Sequence, residues 1–168
     1  IDDLISQMTI DEKAGSMFIT VIGINEDGSL SESPTFSNIF SFLFPSSSKM
    51  IVNQKMNHFN IMATHKKENM LKWYNNIQKI GEKSRLGIPI TIASDPRHGV
   101  SKSPVSSNTS FFSKWPSALG LGAIGDSSIV REHANIVRQE YSAIGIKLAL
   151  GPMADVSTEP RWIRVNGT

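Results

Sequence analysis

The chain has 168 residues, no cysteine and a formal net charge of +2; 39% of its residues are hydrophobic and 19% are charged. This is long enough to bury a core and ordinary for a globular chain. It excludes disulfides and thiolate metal sites, and no apolar run is long enough to span a bilayer.

The first residues, IDDLISQMTIDEK, lack the basic start and apolar stretch of a secretory leader and read as the interior of a longer protein. Leu4, Ile5 and Met8 predict a short amphipathic helix over 2–8, and Ile10 continues the apolar pattern. Thr9 and Glu12, three apart, predict a capping box opening a second turn. Residues 17–22 (MFITVI) predict a strand; 25–35 is a polar turn region with Asp27-Gly28 and Ser33-Pro34. The aromatic stretch 36–44 is stopped by Pro45 and three serines, and 57–62 predicts a second strand with Phe59 and Ile61 on one face. Met70, Trp73, Tyr74, Ile77 and Ile80 recur at three- and four-residue spacing, which predicts a helix over 66–85 with one stripe facing a core. Its lysines are interrupted by Glu68 and Glu82, so they read as a solvated face and no nucleic acid partner is expected.

Residues 88–93 predict a buried parallel strand, followed at once by Asp95, Arg97 and His98. Loops that leave strand ends carry chemistry in parallel α/β folds, because the sheet holds them still. A Ser/Asn/Pro-rich loop over 101–113 comes next. Asp126 or Ser127 caps a helix running to about 144, with Val130, Ala134, Val137, Tyr141 and Ile144 as its expected buried face and Gly145 just past its end. Glu140 and His133 on that helix are expected to face solvent or a neighbouring helix. Residues 146–150 predict the next strand. Helices alternating with strands make the fold class α/β with a parallel sheet. The four histidines show no metal-ligand spacing, and neither a metal nor a cofactor is expected. A doubly wound nucleotide-binding fold fits less well, since Gly120-Leu121-Gly122 lacks a strand before it.

Four segments, in order, resemble the N-terminal domain of glycoside hydrolase family 3. LISQMTIDEKAGSM is similar to its opening signature (Leu4, Met8, Thr9, Glu12, Lys13, Met17). RLGIPITIASDPRHGV resembles the substrate-binding strand with its Asp-x-x-His-Gly continuation (Asp95, His98, Gly99). WPSALGLGA resembles a Phe/Trp-Pro-x-x-Leu-Gly-Leu-Ala segment (Trp115, Pro116, Leu119, Gly120), and GPMADVSTEPRWIR resembles the Pro-x-x-Asp-Val…Pro-Arg-Trp-x-Arg signature (Pro152, Asp155, Val156, Pro160, Arg161, Trp162, Arg164). Ile163 departs from the usual glycine, and the Ile163–Thr168 ending is similar to a glucan-acting subset.

The resemblance implies that residues 1–168 are the N-terminal portion of a (β/α)8 TIM-type barrel. It implies a retaining β-glucosidase or exo-β-1,3(1,4)-glucanase, secreted or periplasmic, acting on terminal β-D-glucosyl residues of a β-glucoside or β-glucan. The nucleophile and acid/base then lie in the remainder of the same polypeptide, and the isolated chain is expected to be inactive. Retaining hydrolysis needs two carboxyl groups astride the scissile bond and further groups that grip the non-reacting hydroxyls. An ionised carboxylate suits that grip, since it accepts from two adjacent hydroxyls. The resemblance gives this role to Asp95, whose other reading is an Asp-Pro turn initiator. Arg164 is either a sugar-hydroxyl donor or a barrel-end ion pair, and His98 either touches sugar or holds the Asp95 loop. Arg97, Asp155 and Arg161 are expected to support them, and Trp115 and Trp162 to anchor loops. The alternative from another class is a non-catalytic carbohydrate-binding or interaction domain of the same fold.

Overall fold

The capping box forms as its spacing predicts: the Glu12 amide donates to Thr9 Oγ1 and the Thr9 amide donates to Glu12 Oε2. Helix α1 spans Asp2–Gln7 and helix α2 spans Ile10–Gly15. Arg85, in the turn just past the end of a later helix, bonds to both, donating to the Glu12 carboxylate and to the Gln7 carbonyl. The Arg85 guanidinium, with the Thr9 amide, holds the Glu12 carboxyl down at about 2. The structure is a computed structural model that describes residues 1–32, 45–61, 64–95, 98–99, 111–151, 153, 156 and 158–162. The apolar stretch 36–44 and most of the serine-rich loop lie outside the described residues.

Four strands form one parallel sheet in sequence order: β1 Ile19–Ile22, β2 His58–Ile61, β3 Thr91–Ser94 and β4 Ile146–Ala149. Between them come a single π-helical turn, Lys49–Asn53, and helices α3 Lys67–Glu82, α4 Ala118–Ile124 and α5 Ser127–Ala143. The register aligns Thr20 with Phe59, Phe59 with Ile92 and Ile92 with Ile146, so these four share one face. Helix α3 covers the apolar face with Met70, Trp73 and Ile77, which are buried with Phe59, Ile61 and Ile92 in one core.

Three strands start later than their apolar runs predict, and in two of them another group takes the backbone. Met17 and Phe18 donate their amides to Ala14 and Gly15 at the end of α2, so β1 begins at Ile19. Ile90 is engaged by Gln78 of α3: its amide donates to Gln78 Oε1 at 3.0 Å and its carbonyl accepts from Gln78 Nε2 at 2.7 Å. The ladder of β3 therefore starts at Thr91, past Pro89, which has no amide to give. In β2, the Asn57 carbonyl accepts from the Thr91 amide while the paired strand runs from His58.

Helix α4 is not predicted from the sequence, because ALGLGAI carries two glycines and no amphipathic stripe. Its signals are terminal: Ser117 accepts from the Gly120 amide at the start, and Gly125 ends it with a φ of 69°. Helix α5 corrects a second expectation. Tyr141 and Ile144 are buried and Val137 partly so, but Val130 and Ala134 are exposed. Helix α5 packs over β4, and its residues that join the core lie in its carboxyl half, whereas most of its first half is exposed.

Candidate functional site

Because all four strands run parallel, their carboxyl ends (Ile22, Ile61, Ser94 and Ala149) share one edge of the sheet. The turn after β1 is held there by α3. Asn69 Nδ2 donates to the Glu26 carbonyl at 2.6 Å, and Lys72 Nζ donates to the Asp27 carbonyl at 2.9 Å. Gly28, at a φ of 76°, lies where a β-carbon would run into the Asn69 backbone.

Asp95 is the first residue beyond β3 and is half-buried. Its main chain is pinned from α5, where Tyr141 Oη donates to the Asp95 carbonyl at 2.5 Å. Its carboxylate Oδ2 lies 3.4 Å from Nδ2 of Asn60, which comes from the middle of β2. Nothing in the sequence pattern singled out Asn60; only the strand register brings it beside Asp95.

His98 is 2% exposed. Its Nε2 lies 2.7 Å from Glu140 Oε2, and since a carboxylate only accepts, Nε2 carries the proton and donates. Its Nδ1 is buried with no hydrogen-bond partner among the described residues. Burial pushes the imidazole below its usual pKa, more than the Glu140 carboxylate pulls it up, so the neutral ring is favoured. The ring packs against Phe112 at 4.8 Å and Tyr141 at 5.2 Å between centroids, with His133 edge-on at 6.2 Å.

The same Glu140 carboxylate accepts from the Ser113 amide, at 3.1 Å to Oε2. Glu140 is therefore not a solvent-facing helix residue, as its sequence context suggested: it joins the two flanks of the loop after β3. The joint is reinforced where the Trp115 amide donates to the His98 carbonyl at 2.7 Å and Gly99 bridges to Trp115. The Trp115 ring also lies against His133, tilted by 55° with centroids 5.2 Å apart, and its indole donates to Ser113 Oγ. His133 is likewise half-buried here and not solvent-facing. These ring contacts anchor the loop.

Of the other sequence candidates, Arg161 is exposed and paired with Glu159, Nε to Oε1 at 2.7 Å, an arrangement worth little at a surface. Trp162 beside it is 40% exposed. Arg97, Asp155 and Arg164 lie outside the described residues. Among the described residues no group of three His, Asp or Glu side chains is placed to hold a metal, and no helix is long and apolar enough to cross a membrane. Two clefts of about 580 and 380 Å³ open at the other end of the sheet, beside residues that precede strands, such as Phe18, Met56, Asn57 and Ile90. Neither contains Asp95; they sit where βα folds place packing and not chemistry.

The parallel α/β sheet agrees with the family comparison. The model of the glycosyl hydrolase family 3 N terminal domain matches residues 43–167. The chain belongs to glycosyl hydrolase family 3. Among curated family 3 relatives, beta-glucosidase C of Emericella nidulans is 41% identical over 168 residues, covering 99% of this chain and 25% of its own length. A probable beta-glucosidase C of Aspergillus flavus is 39% identical over 171 residues, covering 100% of this chain and 26% of its own. The periplasmic beta-glucosidase/beta-xylosidase of Dickeya chrysanthemi is 42% identical over 172 residues, covering 99% and 25%. The chain spans about a quarter of the length of these relatives.

Proposed function

We propose that this chain supplies part of the glucose-binding pocket of a retaining β-glucosidase or exo-β-1,3(1,4)-glucanase. The observation that carries the reading is Asp95: a half-buried carboxylate at the carboxyl end of a parallel strand, gripped at its carbonyl by Tyr141 and approached at one carboxylate oxygen by Asn60. That leaves the other oxygen for hydroxyls of a non-reducing terminal glucose. Such charge-assisted bonds exceed neutral ones and align the anomeric carbon for attack. The four-stranded sheet is, in this reading, the first half of a (β/α)8 barrel whose remaining strands pair with the β1 and β4 edges. Arg164 joins Asp95 on the sugar, with Arg97, Asp155 and Arg161 in support. His98 acts through the loop, which its burial favours over direct sugar contact. The nucleophile and the acid/base come from sequence corresponding to the remaining three-quarters of the relatives' length, in a protein working in the periplasm or outside the cell. The names of these relatives, all beta-glucosidases, support the substrate class.

The test is hydrolysis of 4-nitrophenyl β-D-glucoside by the intact enzyme carrying Asp95→Asn. Bonds to a charged group contribute about 1.5–3 kcal/mol, so kcat/KM is expected to fall about 10- to 100-fold. An unchanged kcat/KM, or a wild type that binds glucose without turning over the glucoside, goes against this reading.

A further inference from the structure

Two consecutive residues of α5 reach the loop after β3 at both of its described ends. Tyr141 donates to the Asp95 carbonyl, and Glu140 accepts from His98 Nε2, three residues further on. The Glu140 carboxylate also takes the Ser113 amide, on the far flank of that loop. One turn of helix thus holds two backbone positions and one side chain around a single acid. The sheet alone leaves this undone, because the ladder of β3 ends at Ser94, one residue before Asp95. Beside these directional polar bonds, the Tyr141 ring packs against His98 and Phe112, and Val137, Tyr141 and Ile144 seat the helix on the core.

We infer that Glu140 and Tyr141 are positioning residues for the Asp95 carboxylate. They act through His98 and the loop main chain, and set the angle at which Asp95 meets a sugar. The inference rests on the proposed function and deepens it. The geometry also says which replacements are tolerated. Oε2 of Glu140 accepts from His98, and the Ser113 amide is shared between Oε2 at 3.1 Å and Oε1 at 3.3 Å, so a glutamine with its amide oxygen at the Oε2 position keeps the two shorter bonds, while alanine takes none.

The experiment measures KM and kcat separately for 4-nitrophenyl β-D-glucoside in the intact enzyme, at a temperature well below each variant's melting point. Glu140→Ala and Tyr141→Phe are expected to raise KM, with kcat/KM lowered about 10- to 100-fold by the misplaced acid. Glu140→Gln restores KM to near the wild-type value. The double variant Glu140→Ala/Tyr141→Phe loses less than the product of the two single losses, since both act on one loop. A purely structural role lowers the melting temperature and the active fraction but leaves KM alone, and that result overturns the inference. If Glu140→Ala does not fold, Tyr141→Phe, which deletes one oxygen, decides: unchanged KM overturns the inference and raised KM upholds it. An active wild type with unchanged variant KM removes the inference only. A wild type without turnover removes the functional reading and the inference with it.

Discussion

His98 shows how much of a residue's character its neighbours decide. Exposed, an imidazole titrates near 6.5. Here burial is the larger influence and the Glu140 carboxylate the smaller, opposing one, so the folded pKa lies below that value. Protonation would place a second proton on Nδ1, for which the described residues offer no acceptor. The sign of the pH dependence follows. Between the depressed folded value and about 6.5 the unfolded chain binds the extra proton and the folded chain does not, so stability rises with pH across that window. His133, lowered in the same direction by its own burial, adds to the slope. Thermal melting of the wild type from pH 8 to 5 should therefore show a plateau above about pH 6.5 and a decline below it. His98→Asn should flatten part of that decline, and an equal slope in both proteins would argue against a neutral buried ring. Asp95 and His98 stand out in the sequence because of where they fall after an apolar run. Asn60 and Glu140 do not, since nothing local distinguishes a polar residue in a short strand or on a charged helix face.

Among the elements, the end of α5 shows the most local logic. Ile144 closes the helix and Gly145 follows at a φ of 87°, the left-handed conformation expected of a residue just past a helix end. A second constraint is not visible from sequence: a β-carbon on Gly145 would run into the ring of Tyr74 on α3. Gly145→Ala therefore combines backbone strain with a collision. It should destabilise by more than about 1 kcal/mol, read from urea denaturation, whereas the same change at the open Gly122 position should be far milder. Helix α3 was legible because its stripe repeats over sixteen residues. Helix α4 was not, because seven residues with two glycines carry no stripe and only their caps mark them. Two of the three strand starts moved for the same physical reason. A backbone group already bonded elsewhere, as Ile90 is to Gln78, is not available to a ladder.

For the molecule as a whole, β1 and β4 pair with no further strand among the described residues, and Ile19, Leu148 and Leu150 near those edges are exposed. Unpaired edges with apolar side chains template association. Produced alone, the 168-residue chain should self-associate at micromolar concentration in sedimentation velocity; a monodisperse, cooperatively melting monomer would remove the half-barrel account. The sequence by itself determined the alternation of helices and strands, the Thr9 cap, the α3 stripe and the four ordered motifs of the family. Those signals are local, written in spacing of a few residues or in short fixed strings. The tertiary structure alone decided that Glu140 meets His98 across 42 positions, that Tyr141 meets Asp95 across 46, and that Asn60 stands beside Asp95. Such pairs depend on strand register and on where a helix crosses the sheet, and neither quantity is encoded within any one window of the chain.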